Sequence, residues 1–126
     1  MVSWADFAAE APELAALGAA RFDATGLCLV GTLRRDGWPR ISPVEPLIAH
    51  GNLYLGMMPR STKALDLRRD PRCVVHSTTS DKDGTEGDFH LFAIDVAAAA
   101  FVRIEDGAMR IRSWRPGEPV ADRARG

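Results

Sequence analysis

Five consecutive residues, Pro59-Arg60-Ser61-Thr62-Lys63, combine two fixed cations with two hydroxyls where a strand-like run gives way to a helical one. The first turn of a helix has unpaired amide N–H groups and a partial positive charge, so Arg60, Ser61, Thr62 and Lys63 have the chemistry of a phosphate site. The same residues also read as an ordinary helix cap with a solvated charged face. Lys63 stands out because 14 of the 16 basic residues are Arg, and only Lys63 and Lys82 are Lys. A second stretch, DGWPRISPV at 36 to 44, is a tight turn feeding a strand that contains Pro43, with Pro46 two residues beyond. Proline donates no ladder hydrogen bond, so this strand must be bulged or unpaired on one side, which frees backbone groups for a flat heteroaromatic ligand. A plain hairpin with an edge strand explains the same pattern.

The remaining chemistry-bearing residues point to structural roles. Cys28 and Cys73 sit in apolar runs, LCLVG and RCVVH, and with no secretory signal they read as buried free thiols. The two cysteines and the histidines at 50, 76 and 90 show no paired ligand spacing, so no metal is expected. His76 reads as a satisfied core or interface histidine, with the edge of a cofactor as its other use. Trp4, Trp38 and Trp114 read as core or interface anchors, and Trp114 also as a cover for a bound ring. Asp81, Asp83, Glu86 and Asp88 do not match a calcium loop and read as a solvated acidic stretch.

These residues need a scaffold of short strands. Ser3 with Asp6 three residues on predicts a capped helix, and Pro12 suits the first position of a second one running toward Arg21, so residues 1–25 form a helical brace. Apolar runs then alternate with turn signals: 27–33, Arg35-Asp36-Gly37, 40–48, His50-Gly51-Asn52 and 53–57, two consecutive hairpins. A short helix over 61–69 is capped by Ser61 and stopped by Asp70-Pro71. Strands are expected at 72–79, 90–104 and 109–114, with a polar loop at 80–88 and a frayed tail at 117–126. About six strands in consecutive hairpins predict a mainly β, small antiparallel barrel over 26–116, with minor helix.

The chain has 126 residues and a net charge of -1. That length predicts one domain. The near-neutral charge lacks the basic footprint of a nucleic-acid binder. No apolar run approaches the roughly 18 residues of a membrane span, and the first residues lack a basic, then apolar leader, so a soluble cytoplasmic protein is expected.

DGWPRISPV at 36–44, PRSTKALDL at 59–67 and DPRCVVHS at 70–77 occur in the order and at the spacing found in the pyridoxamine 5′-phosphate oxidase-like split-barrel family, which the chain resembles. The resemblance covers Gly26 to Ser77 well and the C-terminal part more loosely. It implies a six-stranded antiparallel split barrel, usually a homodimer with FMN between the subunits. Carried over by position, Arg60, Ser61, Thr62 and Lys63 hold the flavin phosphate. Arg40, Ile41 and Ser42 run along the isoalloxazine ring, with Met57 close by. The resemblance breaks after Phe89, where relatives continue through a further strand and helix before the HLF run. It breaks again after Trp114-Arg115-Pro116, without the portion that completes the substrate site of true pyridoxamine phosphate oxidases, so vitamin B6 oxidation is not the first expectation. The implied function is an FMN-dependent oxidoreductase acting on a small organic molecule. No catalytic side chain is identified, because the flavin carries the electrons while the chain binds and orients it. The deazaflavin F420 on the same fold, a non-catalytic flavin- or haem-binding module, and a small β-barrel interaction domain with no cofactor are the alternatives.

Overall fold

Ser3 starts the first helix as the sequence predicts. The Asp6 amide donates to Ser3 Oγ at 3.1 Å and the Ser3 amide to Asp6 Oδ2 at 3.0 Å, a reciprocal cap for α1, Trp4–Glu10. The Ser3 bonds hold the Asp6 carboxyl below the ordinary carboxylate range. Pro12 opens α2, Pro12–Thr25, where its missing N–H leaves nothing unsatisfied, and Gly26 closes it at φ +70°. Trp4 meets Phe7 edge-on with ring centroids 5.2 Å apart and leans toward Phe22 at 6.3 Å. A Cβ at Gly18 would lie 3.3 Å from the Trp4 ring, so a glycine there lets the two helices close on each other.

The structure is a computed structural model and describes residues 1–79 and 90–125. The polar loop predicted at 80–88 and the break after Phe89 fall outside those residues. The described chain forms two units.

In the first unit, β1 (Cys28–Leu33), β2 (Pro39–Ala49), β3 (Asn52–Gly56) and β4 (Val74–Ser77) make an antiparallel sheet of order β3-β2-β1-β4. Alternation turns Cys28, Val30 and Val44 to one face, where they are buried, and Phe22, Leu55, Met57 and Val75 pack against them. Thr32 continues the same row and is buried too. The helix α3, Thr62–Arg69, follows β3 through Met57–Ser61. On the other face Ile41, Leu47, Tyr54 and Val74 are exposed. The strand expected at 72–79 is shorter, covering only β4.

In the second unit, β5 (Ala99–Glu105), β6 (Ala108–Trp114) and β7 (Ala121–Arg125) form an antiparallel meander of order β5-β6-β7. Two expectations are corrected here. The stretch read as a frayed tail holds β7: the turn through Gly117 at φ +83° brings the chain back, and Asp122 pairs with Arg110 at 2.9 Å and Arg112 at 3.5 Å. The strand predicted from His90 begins only at Ala99. The protein is mainly β, with helices at the start and after the third strand, as predicted. Among the described residues it has seven strands in two open sheets instead of six in one barrel, because the meander bonds within itself and β3 and β4 remain edges.

Candidate functional site

The strand β2 has two halves with different partners. Residues 39–44 pair with β1, and from Glu45 onward the ladder passes to β3. Among the described residues each half therefore has one edge without a ladder partner, which is how the strand accommodates Pro43 and Pro46. Arg40, Ile41 and Ser42 lie in the first half. Arg40 and Ser42 face the buried side, while Ile41 is 71% exposed on the opposite face, so the three side chains do not converge. A ligand addressing all three would do so through the open backbone edge. Met57 is half-buried and packs on the Cys28, Val30 and Val44 cluster.

At the start of α3, Ser61 accepts the amide of Ala64 on its Oγ at 3.3 Å, and its carbonyl takes the first helical bond, from Leu65 N–H at 3.1 Å. The amides of Thr62 and Lys63 precede that bond and have no intrahelical acceptor. The Thr62 hydroxyl and the cations of Arg60 and Lys63 make no hydrogen bond or ion pair among the described residues. Four of the predicted residues thus sit together at one helix start, with two amides, one hydroxyl and two cations uncommitted. Ser61 is the exception, since its hydroxyl already serves as the cap.

The last turns of α3 hold a residue that sequence reasoning passed over. Asp66 is only 3% exposed. Its Oδ2 accepts Thr32 Oγ1–H at 2.9 Å and Arg40 Nε–H at 2.7 Å, and its Oδ1 accepts an Arg69 N–H at 3.0 Å. Arg69 also donates to the Leu33 carbonyl at 2.6 Å. Burial pushes the Asp66 carboxyl up, but the hydrogen bonds from Arg40, then Arg69 and Thr32, outweigh it and hold the group below the ordinary carboxylate range. Asp66 therefore fixes α3 to β1 and β2 and turns the Arg40 guanidinium under the helix. Its signal was its place between Leu65 and Leu67 on a helix with one apolar side; an isolated acidic residue there reads equally as solvated.

Beside this cluster lies an open hollow of about 560 Å³ between the β1–β2 turn and the flank of α3. Arg34 and Arg35 reach it from the turn, and Arg40, Thr62, Leu65 and Arg69 from the sheet and helix.

Two smaller readings change. Cys28 is buried, and its thiol is pushed up by that burial, but Cys73 is exposed ahead of β4 and does not share the predicted buried state. His76 is exposed on the edge strand with Nδ1 2.6 Å from the Ser77 carbonyl, and is not a core histidine. Among the described residues no three His, Cys, Asp or Glu side chains gather as a metal site, and no helix is long and apolar enough to cross a membrane.

No protein-family model, no curated protein and no solved structure matches this chain.

Proposed function

We propose that the chain binds FMN and acts as an FMN-dependent oxidoreductase on a small organic substrate, as a homodimer with the flavin between subunits. The observation that carries this reading is the helix start at Thr62–Lys63. Amides, a hydroxyl and the cations of Arg60 and Lys63 that have no partner among the described residues suit a doubly charged phosphate better than they suit water alone. Asp66 ties the same helix to Arg40 of β2, the strand whose unpaired edge supplies donors and acceptors for the flavin ring. When bound, the flavin supplies the hydride or electron transfer. The polypeptide neutralises the phosphate, positions the ring and excludes water from one face of it.

The first experiment is the absorption spectrum of the purified protein, with identification of anything released on denaturation and titration with FMN and F420. Released FMN, or saturable FMN binding, supports the reading; preferential F420 binding replaces the cofactor, and a colourless protein that gains no thermal stability with either removes the reading. Two variants then locate the phosphate. Lys63→Ala is expected to weaken FMN binding about tenfold, the worth of one charge-assisted hydrogen bond of about 1.5 kcal/mol, with stability unchanged. Ser61→Ala removes the cap and is expected to cost about 1 kcal/mol in urea denaturation. If Lys63→Ala leaves the FMN dissociation constant where it was, the helix start is only a capped helix.

A further inference from the structure

The second unit has a hollow of its own, about 540 Å³ on one face of the β5-β6-β7 meander. Its lining follows from the register. Strand alternation puts Arg103 and Glu105 of β5, Arg110 and Arg112 of β6 and Asp122 of β7 on the same face. Ala108, two residues before Arg110, and Ala124, opposite it, keep the floor low. With Asp106 of the β5–β6 turn, three arginines and three acidic residues line the hollow, so its formal charges balance.

They do not balance in place. Asp122 serves two of the cations: its Oδ1 accepts an Arg110 N–H at 2.9 Å, and its Oδ2 lies 3.5 Å from Arg112 Nε. Those are the ion pairs of the meander among the described residues, so Arg103, Glu105 and Asp106 have none there. Arg103 also stands directly opposite Arg110 in the ladder, and like charges so placed repel each other. Its guanidinium lies over the Phe101 ring, 5.6 Å from the centroid, and Phe101 is on the side of Arg103 away from Glu105. One end of the hollow therefore has three arginines against one carboxylate. The other end, at the turn, has the two uncommitted carboxylates. A strand step of two residues, about 6.7 Å, separates Arg103 from Glu105.

We propose that this hollow binds a small zwitterion of the ω-amino acid class, its carboxylate between Arg103 and Arg110 and its ammonium group on Glu105 and Asp106. A carboxylate there relieves the repulsion of the opposed arginines and accepts charge-assisted hydrogen bonds. A simple anion would also face the carboxylates at the turn, and a simple cation the three arginines; a molecule carrying both charges satisfies both ends. Asp122 holds Arg110 and Arg112, and the Phe101 ring holds Arg103, so these side chains lose less freedom on binding than unanchored ones would. The site uses none of the residues assigned to the flavin and does not depend on flavin binding.

The test is NMR titration of the full isotope-labelled chain, at low ionic strength, with 4-aminobutyrate, butyrate and butylamine. 4-Aminobutyrate is expected to shift the amide signals of Arg103, Glu105 and Arg110 saturably, while butyrate and butylamine each need concentrations about tenfold higher. Arg103→Gln is expected to weaken 4-aminobutyrate binding about tenfold, and Glu105→Gln to remove its advantage over butyrate. Both side chains are exposed, and the dispersion of the same spectra reports whether each variant is folded. The proposal is overturned if the wild-type shifts do not saturate, if they fall outside the meander, or if butyrate or butylamine saturates as readily as 4-aminobutyrate. It is equally overturned if folded Glu105→Gln keeps the full preference for the zwitterion. The wild-type ligand series decides by itself should a variant fail to fold.

Discussion

Asp66 shows how much one side chain can decide. A folded carboxylate whose pKa lies below its unfolded value of about 3.9 contributes its full stabilisation above that pH and loses it as pH falls through the folded value. The protein is therefore expected to lose stability on acidification below about pH 4, and Asp66→Asn to lose less than wild type over the same range. Urea denaturation at several pH values reads this, and identical acid slopes in the two proteins would contradict it. Asp70 titrates in the same region, held at about 2 chiefly by the side-chain hydrogen bond from Arg72, so Asp70→Asn is the comparison that separates the two. At neutral pH, removing one partner of a buried ion pair costs about 3–5 kcal/mol. The side chains of Arg40 and Arg69 are 24% and 32% exposed, and water reaches them once the carboxylate is gone. The expected cost of Asp66→Asn is accordingly lower, about 2 kcal/mol. None of this was legible in the residue type, because an aspartate in a short helix becomes a keystone only when two strands bring Thr32 and Arg40 beneath it.

At the scale of elements, the turns carried the clearest messages. Ala49 pairs with Asn52 and Glu105 with Ala108, so His50-Gly51 and Asp106-Gly107 are two-residue hairpin loops. All four residues have positive φ, from 51° to 76°, as the twist of a tight hairpin requires. Both hairpins could be read from their glycines. Gly51 has a second constraint: its carbonyl accepts the Ala5 amide at 2.9 Å, and a Cβ on it would meet the Ala5 Cβ at 3.3 Å. Gly51→Ala is expected to destabilise by about 1–2 kcal/mol, the cost of a left-handed conformation for a residue with a side chain. The conservative control is His50→Asn, expected to be neutral or slightly stabilising because Asn tolerates that conformation better. Equal stability of Gly51→Ala and wild type in thermal denaturation would show that the turn relaxes. β7 was illegible for the opposite reason. Its five residues, ADRAR, carry no apolar alternation, and what holds them is pairing with β6 and the Asp122 contacts to Arg110 and Arg112, which are long-range facts.

At the scale of the whole molecule, each sheet has a face that leaves apolar side chains in water. In the first unit these are Ile41, Leu47, Tyr54 and Val74, each 46% to 71% exposed. In the second, Val102 and Ile104 are 52% and 70% exposed, while the alternate residues Arg103, Arg110 and Arg112 put charge on the opposite face. Where such side chains adjoin one another they are candidates for covering by a partner. Strand alternation made these faces readable residue by residue, but the predicted barrel would have hidden part of them inside one closed sheet. The homodimer in the proposed function gives them a use that can be measured. Sedimentation is expected to return twice the 13.7 kDa of one chain. Because a flavin between subunits binds only the dimer, FMN affinity is then expected to fall on dilution and FMN to shift the equilibrium toward dimer. Ile41→Lys, which places a charge on the exposed face of β2 near the start of the strand, is expected to favour the monomer and weaken FMN binding together. A monomeric chain that binds FMN with the same affinity at every protein concentration would place the flavin within one subunit and leave the apolar faces to another partner.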